Sequence, residues 1–497
     1  MTDFDVIVIG TGISGACIAR ELTRWRLSVG VLEKGYDLCC GATKGNSATV
    51  HSGHDADHNT LKGKYNVLGN AMYDQLCREL SVPFRRNGTI IFAASPAEET
   101  ELVRLKANAD KGGVPGVRIL TRAEMDAMEG TWGSDVRGGL YAPTGGVVCP
   151  YTLTFALCEN AARNGAEFFT NREVTDIRRE GGRFIVTTPA ETYRCRYVFN
   201  CAGTHADDMN NFVSRHKITI IPRKGSHIIL DKRLDPYVRA TLVQTPSPLP
   251  GGGHTKGQGI QPTMDRTVII GCEARDVADK DDMATTPEGL DDVLSYFRKN
   301  WHLFPISRFY PSFPQDLVIG AFAGIRPHPT TDDYILGEPE DCPGFFNMAG
   351  IESPGITAAP AIAADLVGLA AARYGFEPNE AFDPIRRVRK PFRDMSADER
   401  AAAIAEDPDY ATIICRCEQI TKAEILEAIR RPLGARSVNS VKMRVRAGMG
   451  RCQGGFCSPE VVRILSEELG IPMTEVLQSG SGSNVLPYEA GIEEGLS

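Results

Sequence analysis

The sequence predicts an α/β protein of several domains, and three observations support that prediction. An apolar run at 6–9 passes into a glycine-rich turn and then into helical spacing, the middle of the chain carries alternating strand patterns, and four cysteines gather near its end. The chain has 497 residues, which is too long for one ordinary core. Roughly two to four domains are therefore expected.

The composition narrows the class of protein. Hydrophobic residues make up 42% of the chain and charged residues 24%, as in ordinary globular proteins, so folding should need no disulfide framework. The net charge of −8 argues against a nucleic-acid partner. The acidic amino end differs from a signal peptide, and the sequence shows no obvious membrane-spanning run. These features predict a cytoplasmic protein without a transmembrane segment.

The first thirty-four residues have the pattern of a dinucleotide-binding unit. The buried-type strand at 6–9 leads into Gly10, Gly12 and Gly15, and apolar residues then recur at helical spacing. In this fingerprint the glycines permit a tight turn, let backbone approach a pyrophosphate, and let the helix pack closely on the strand. A second strand ends at Glu33, where a carboxylate can hold ribose hydroxyls.

Further segments extend this unit along the chain. The stretch "GATKGNSATVHSG" at 41–53 is rich in small and hydroxyl-bearing residues, and would lie near the cofactor. Much later, 196–208 gives a strand that ends in Ala-Gly, and 344–371 gives a strand, a glycine-rich turn and an apolar helix.

Together with "AFAGIRPHPTTDDYILGE" at 321–338, these segments resemble the FAD-dependent oxidoreductases of the D-amino-acid oxidase and glycerol-3-phosphate dehydrogenase superfamily, over about residues 4–375. The resemblance implies a discontinuous Rossmann-like FAD-binding domain and an antiparallel-sheet substrate domain. The FAD-binding domain would comprise 1–85, 151–215 and 316–376, and the substrate domain 86–150 and 216–315. The residues implied to contact FAD are Gly10, Gly12, Gly15, Glu33, Lys34, Thr43, Ser47, Val174, Gly203, Gly355, Ile356 and Thr357.

The four cysteines near the end are spaced C-x-C and C-x4-C, and they are Cys415, Cys417, Cys452 and Cys457. Four thiolates can hold either a [2Fe–2S] cluster or a structural zinc ion. The C-x-C pair fits zinc poorly, because zinc sites favour two to four residues between paired ligands. Glycines around the second pair would let backbone N–H groups approach inorganic sulfide.

The pattern resembles the bacterioferritin-associated-ferredoxin-like [2Fe–2S] module, which would be a small helical domain at 411–475. The charged stretch 377–410 is then predicted to be a linker, and 476–497 a flexible tail. A flavin fold followed by this module resembles the A-type subunit of anaerobic glycerol-3-phosphate dehydrogenases. That resemblance implies that electrons leave through the cluster to an acceptor protein or a second flavoprotein subunit, with membrane association only through a partner.

Four residues are candidates for the chemistry at the flavin. His51 is the candidate base, since a histidine pKa near about 6.5 suits proton transfer, although it could instead only contact the flavin. Arg326 is the candidate clamp for an anion, which Lys256 would supplement, and Ser353 could donate a hydrogen bond. The neighbouring "HSGHDADH" resembles a metal site but is interpreted as a solvated loop.

Together with the family resemblance, which implies the flavin and the dehydrogenase activity, these residues predict an FAD-dependent dehydrogenase that oxidises a small anionic hydroxy compound, with glycerol 3-phosphate as the first choice. A 2-hydroxy acid such as L-2-hydroxyglutarate and an amino acid oxidised at its C–N bond remain open, because one arginine clamps a carboxylate as readily as a phosphate. A different class is also open, in which the chain is an electron-transfer subunit whose flavin serves a catalytic partner.

Overall fold

The structure is a computed structural model that describes residues 1–246 and 257–488. It divides into two units. The first comprises Met1–Lys34 and Leu38–Arg386, and the second comprises Gly35–Asp37 and the chain from Arg387 onward.

The described residues form twenty-four strands. In chain order they are β1 (Thr2–Asp3), β2 (Val6–Ile9), β3 (Val29–Leu32), β4 (Thr49–Val50), β5 (Phe84–Arg85), β6 (Thr89–Ala93), β7 (Arg118–Thr121), β8 (Gly138–Ala142), β9 (Gly146–Val148), β10 (Glu167–Phe169), β11 (Asp176–Glu180), β12 (Arg183–Thr187), β13 (Thr192–Cys195), β14 (Tyr197–Asn200), β15 (Ile220–Leu230), β16 (Thr241–Gln244), β17 (Gly259–Pro262), β18 (Val268–Gly271), β19 (Arg275–Asp276), β20 (Val318–Pro329), β21 (Ile335–Gly337), β22 (Phe345–Ala349), β23 (Ile413–Cys415) and β24 (Ile420–Thr421).

Within the same ranges the structure has twelve α-helices. They are α1 (Ile13–Leu22), α2 (Leu61–Glu79), α3 (Pro96–Lys111), α4 (Arg122–Glu129), α5 (Pro150–Arg163), α6 (Ala206–Val213), α7 (Pro287–Asn300), α8 (Gly355–Tyr374), α9 (Ala397–Glu406), α10 (Lys422–Arg430), α11 (Val438–Val445) and α12 (Ser458–Leu469).

A six-stranded sheet forms the centre of the first unit, in the order β10-β3-β2-β14-β22-β21. Its first five strands are parallel, and β21 is antiparallel to β22. The strand β2 is buried along its whole length, as expected for a strand covered on both faces. Helix α1 packs against α5 and α8. The predicted Rossmann-like arrangement, assembled from distant segments, is confirmed.

A nine-stranded sheet makes the second layer of this unit, in the order β19-β15-β18-β17-β16-β6-β8-β7, with β20 also paired to β15. The pair β15–β20 is long and antiparallel, and its register runs from Ile220 opposite Pro329 to Leu230 opposite Val318. The predicted boundary at 316 therefore assigned β20 to the wrong domain. Its alternating residues extend the antiparallel sheet, although the segments that follow it return to the parallel one.

Helix α8 is long and apolar enough, by length and composition alone, to cross a membrane. About two thirds of its apolar window is buried within the chain, where the helix packs on α1 and α2. The sequence predicted an apolar helix here but did not mark it as a candidate span, because its apolar character comes largely from alanine and glycine.

The second unit is a small helical domain in which α10, α11 and α12 pack around one core that includes Ile425, Val441 and Leu465. The strands β23 and β24 form a short antiparallel pair before α10. Helix α10 begins with a capping box made by Thr421 and Glu424.

The predicted linker at 377–410 is wrong, because these residues are ordered parts of the two units. Arg386 forms a buried ion pair of 2.6 Å with Glu159 in the first unit. In the second unit Phe392, Met395 and Tyr410 form a small core together with helix α9. The apolar side chains within this charged stretch bury apolar surface against one another, and this burial orders the segment.

The predicted flexible tail is also ordered over its first part. Val476 is buried, its carbonyl accepts a hydrogen bond of 3.0 Å from the backbone of Val485, and Leu477 pairs with Asn484. Residues 489–497 lie outside the described part of the chain.

Candidate active site

The glycine-rich turn between β2 and α1 brings backbone atoms unusually close together. Gly10 has φ +98°, and a Cβ on it would lie 2.5 Å from the carbonyl oxygen of Cys201. A Cβ on Gly15 would lie 1.9 Å from the carbonyl oxygen of Gly10. Gly12 is the N-cap of α1, so the helix begins at the turn. The turn therefore has the close approach and the helix N-terminus that a pyrophosphate requires.

Polar side chains surround this turn. The buried Glu33 accepts hydrogen bonds from the backbone N–H of Thr11, at 2.9 Å, and from its hydroxyl, at 2.5 Å. The hydroxyl oxygen of Thr43 accepts a hydrogen bond of 2.9 Å from the backbone of Ile13, in the first turn of α1. These contacts place a carboxylate and a hydroxyl where the ribose and the diphosphate of a dinucleotide would lie. Sequence reasoning missed Thr11, which stands between the first two glycines.

The other residues predicted to hold FAD have these positions. Val174 is buried in the core beside β3, and Gly203 has φ +59° in the turn after β14. Gly355, Ile356 and Thr357 form the first turn of α8. This second helix N-terminus fits the flavin-edge position expected of it.

Lys34 has partners of its own. Its ammonium lies 2.6 Å from a carboxylate oxygen of Asp281 and 3.0 Å from the Nε2 atom of His205. A cofactor contact by Lys34 stays a prediction.

A cavity of about 550 Å³ lies in the first unit, where residues of β6, β15 and β16 and the starts of α1 and α8 line it. The residues that line this cavity include Thr43, Ser47, His51, Arg326 and Ser353. The structure thus brings most of the predicted pyrophosphate, flavin and substrate residues to one space. Lys256 lies outside the described residues.

His51 is held at the cavity wall through its backbone. Its N–H donates to the hydroxyl of Thr357, at 2.9 Å, and its carbonyl accepts from the amide of Asn70, at 2.9 Å. The Nε2 atom of its ring lies 3.4 Å from the hydroxyl oxygen of Ser353. The side chain has a hydroxyl beside it and faces the space where a substrate would bind, which suits proton transfer.

Arg326 belongs to β20, which pairs with β15 in antiparallel fashion. Its Nη2 atom is 2.6 Å from the sulfur of Cys272 and 3.4 Å from the carbonyl oxygen of Glu273. A Cβ on Gly225 would lie 2.5 Å from the same Nη2 atom, so a larger residue there would displace the guanidinium from this position. Sequence reasoning missed Cys272 and Gly225, because only the sheet register brings them to Arg326.

Another residue that sequence reasoning missed is His227. It is buried, it lines the cavity, and its ring stacks on Phe322 with the ring centroids 4.9 Å apart. Its Nδ1 atom has no hydrogen-bond partner among the described residues. Side chains of a strand alternate between its two faces, so His227 could have been predicted to point inward only if the sequence had shown which face of β15 is buried.

One group of metal-type side chains lies beside the cavity among the described residues, and it consists of His328, Asp332 and Glu352. Glu352 accepts a hydrogen bond of 2.8 Å from the ammonium of Lys62 and lies 3.0 Å from the Nδ1 atom of His328. A lysine ammonium bound to the central carboxylate competes with a cation, so an ion-pair network is the better interpretation.

The loop after His51 differs from its predicted solvated state. His54 is buried, and burial lowers the pKa of its imidazole. The ring of His58 contacts the side chain of Asn108 instead of approaching His54 as a second ligand would, with Nδ1 and Oδ1 3.1 Å apart. The carbonyl of His54 accepts a further hydrogen bond, of 3.0 Å, from Asn108. These contacts to helix α3 explain why the loop folds inward.

The four cysteines of the second unit converge. The sulfur atoms of Cys417 and Cys452 lie 3.5 Å apart. A hydrogen bond from the thiol of Cys457, with further donors from the backbone of Gly448 and Glu418, lowers the pKa of Cys415 to about 6. Thiolates are the ligands of both iron–sulfur clusters and zinc, so the donor set fits a bound metal centre.

Glycines shape this site. A Cβ on Gly450 would lie 2.2 Å from the Cβ of Cys417, and Gly454 has φ +91°. Cys77 of the first unit contrasts with this arrangement, because burial raises the pKa of its thiol to about 12 and keeps that thiol inert.

Comparison with known proteins agrees with these sites. The model of the family described as FAD dependent oxidoreductase matches residues 5–369, and that of the BFD-like [2Fe–2S] binding domain matches residues 413–467. The resemblances inferred from the residues are thereby confirmed, and the second match favours the cluster over zinc.

Three individual proteins show the extent of the similarity. A glycerol 3-phosphate dehydrogenase of Caloramator mitchellensis is 43% identical over 484 residues, which are 97% of this chain and 98% of that protein. The A-type subunit of the anaerobic glycerol-3-phosphate dehydrogenase of Escherichia coli K12 is 25% identical over 93% of this chain and 88% of its own. The dithionite-reduced L-alpha-glycerophosphate oxidase of Mycoplasma pneumoniae with FAD bound has a TM-score of 0.71 at 24% identity, and the match covers 78% of this chain and all of that one.

Proposed function

The chain belongs to the FAD-dependent oxidoreductase family and carries a BFD-like [2Fe–2S]-binding domain, and we propose that it oxidises glycerol 3-phosphate at the secondary alcohol. It is an FAD-dependent dehydrogenase. The observation that supports the substrate is the cavity in which a histidine, a serine and an arginine meet, in a chain 43% identical to a glycerol 3-phosphate dehydrogenase.

Each residue has a proposed task. When bound, FAD supplies an acceptor for the two electrons and the hydrogen of the carbinol carbon, and the cluster supplies a carrier for single electrons. His51 would take the proton of the substrate hydroxyl at Nε2. The Ser353 hydroxyl, 3.4 Å from that atom, would orient the same hydroxyl group through a hydrogen bond.

The anionic end of the substrate would bind at Arg326. A guanidinium presents paired N–H donors that match the oxygens of a phosphate or a carboxylate. Both anions remain possible ligands for one arginine, so a 2-hydroxy acid is the second candidate substrate. Lys256, which we propose as the second cation, would favour a phosphate because that group carries the larger charge.

We also propose that electrons leave this chain through the [2Fe–2S] cluster to a partner protein. The four converging cysteines and the similarity to the A-type subunit of an anaerobic dehydrogenase support this route. A cavity with an arginine and a histidine in its wall would have no use if the chain served only in electron transfer. A cytoplasmic location remains part of the proposal.

The test is anaerobic mixing of the protein, loaded with FAD and iron, with glycerol 3-phosphate, 2-hydroxy acids and amino acids. Loss of the flavin absorbance at about 450 nm reports substrate oxidation. We expect glycerol 3-phosphate to bleach the flavin fastest. Bleaching by a 2-hydroxy acid alone would contradict glycerol 3-phosphate as the substrate. Bleaching by dithionite alone would support the alternative that the chain is an electron-transfer subunit.

A further inference from the structure

An exposed surface beside the clustered cysteines combines cationic and aromatic side chains. Arg416 stands between Cys415 and Cys417, Arg451 directly precedes Cys452, and Phe456 directly precedes Cys457. All three are exposed, and the side chain of Phe456 is 77% exposed. We call Arg416, Arg451 and Phe456 the cysteine rim.

The four cysteines differ in burial, and this difference shows which edge of the site is accessible to solvent. Cys415 and Cys457 are buried, whereas Cys417 and Cys452 are partly exposed. The open edge is therefore the one that Cys417 and Cys452 form. Because electron transfer weakens steeply with distance, an acceptor protein has to contact this edge, where the rim residues are immediate chain neighbours of the ligands.

The charge of this region is opposite to that of the chain. Residues 411–457 contain nine lysines and arginines against three acidic residues, although the whole chain has a net charge of −8. Lys422, Arg430 and Arg444 are ion-paired with acidic residues outside this range, so the free positive charge is smaller than the count. The acidic Glu418 is fully buried and ion-paired with Arg393 and Arg446, at 3.2 and 3.1 Å. Arg416 forms no ion pair with any residue that the structure describes. Its charge is thus available to a partner.

We propose that the cysteine rim docks an acidic one-electron carrier protein of the ferredoxin class. This inference rests on the proposed function for the source of its electrons. Oxidation of one substrate molecule releases two electrons and two protons. Two oxidised carrier molecules each take one electron, and the protons pass to solvent.

Charge complementarity selects this partner. Cations around an exit site attract an acidic protein and speed its encounter. The exposed ring of Phe456 would supply the apolar contact of a small transient interface. The two arginines would not strengthen the binding of a neutral quinone, because it carries no charge to attract. An anionic membrane is the competing partner, and it is distinguished by experiment.

The first experiment measures binding without turnover. The full chain, loaded with FAD and cluster, is titrated calorimetrically with a purified acidic [2Fe–2S] ferredoxin, both proteins oxidised. We expect the R416Q/R451Q substitutions to raise Kd roughly tenfold. Added salt should also raise Kd for the parent protein, because it screens the attraction between the charges. The variant F456S should weaken Kd similarly. The control R430Q/R436Q removes two arginines of the same unit away from the rim and should keep Kd within about twofold.

The second experiment measures electron transfer to the same ferredoxin after the enzyme has been reduced with stoichiometric dithionite, so no substrate is needed. The rim variants should transfer electrons roughly tenfold more slowly than the control variant. Their flavin should still be bleached by glycerol 3-phosphate at the parent rate. Equal ferredoxin binding in all variants, no ferredoxin binding at low salt, or binding to phosphatidylglycerol vesicles in place of ferredoxin would overturn the docking proposal. If the ferredoxin results hold while glycerol 3-phosphate fails to bleach the flavin, only the proposed substrate fails.

Discussion

The Nε2 atom of His51 lies 3.4 Å from the hydroxyl oxygen of Ser353, although 302 positions separate the two residues in the sequence. The backbone of His51 is fixed by Thr357, in the first turn of α8, and Ser353 lies in the turn that precedes this helix. One helix start therefore positions both groups. Any rotation of this turn would change the distance between the base and its neighbour, so the two side chains should act together on a substrate hydroxyl.

Replacement of His51 by glutamine should lower kcat by about 10² to 10⁴, because the substrate hydroxyl loses its proton acceptor. Ser353→Ala should cost less, since a hydrogen bond and not the base is removed. The measurement is the rate of flavin bleaching by substrate under anaerobic conditions, with FAD content determined for each variant. If H51Q keeps the parent rate with full FAD occupancy, His51 only contacts the flavin.

Replacement of Arg326 by methionine should lower kcat/KM about a hundredfold, mainly through KM, because the anion loses a charged hydrogen-bond donor. Arg326→Lys should recover only part of this loss, since an ammonium cannot reproduce the paired donors. Initial rates over a range of substrate concentrations separate KM from kcat.

The matched control is Arg223→Lys. Arg223 lies opposite Arg326 in the β15–β20 register, and it is paired with Asp276 at 2.6 Å. We expect this control to keep KM within about twofold, because only a surface ion pair changes. Equal increases of KM in both variants would remove Arg326 from its proposed role.

The variant Gly15→Ala should lose FAD. Alanine normally stabilises a helix relative to glycine by about 1 kcal/mol, but here its Cβ would lie 1.9 Å from the carbonyl oxygen of Gly10. The turn and α1 would have to move apart, which opens the phosphate-binding backbone. The ratio of absorbance at about 450 nm to protein concentration reports FAD content. Gly368→Ala is the control, because a Cβ on this exposed glycine of α8 has nothing within 4 Å and the residue is not among the predicted FAD contacts. We expect it to retain FAD.

Local chemistry made much of this molecule predictable. Gly10, Gly12 and Gly15 occur beside a buried-type strand, and a pattern of this kind has few structural solutions. The four cysteines could likewise be grouped from spacing alone, because C-x-C and C-x4-C place pairs of sulfurs close together. The fold class could therefore be inferred from these patterns. FAD and the [2Fe–2S] cluster were implied by resemblance to known families, because the glycines leave other dinucleotides open and the cysteine spacing leaves zinc open.

Features that depend on sheet register could not be predicted. Cys272 reaches Arg326 only because β18 and β20 flank β15, and the sequence does not state that order. The assignment of β20 failed for the same reason. His54 looked solvated because its neighbours are acidic, but it is buried, and Asn108 of helix α3 donates a hydrogen bond to its backbone carbonyl. Such contacts between distant segments leave no local pattern.

Replacement of Cys452 by serine should remove the [2Fe–2S] cluster while FAD binding persists. Cys452 and Cys417 hold the open edge of the site, with their sulfurs 3.5 Å apart, and an alcohol is a poor ligand for iron. Iron and acid-labile sulfide content should fall by at least about half. The flavin should still be bleached by substrate. Cys342→Ser, in the first unit, should keep the iron content of the parent, and an equal loss in both variants would contradict this assignment.

Acid should destabilise the protein in part through His54. Burial lowers the pKa of this imidazole in the folded chain, so the unfolded chain binds more protons over the window below the ordinary histidine pKa of about 6.5. Unfolding is therefore favoured as the pH falls through that value, and folding stability rises again as the pH increases. His54→Gln removes the titrating group, and the decrease in melting temperature between about pH 7.5 and about pH 5.5 should be smaller in this variant than in the parent. Differential scanning calorimetry at both pH values measures the two decreases, and identical decreases would show that His54 does not contribute.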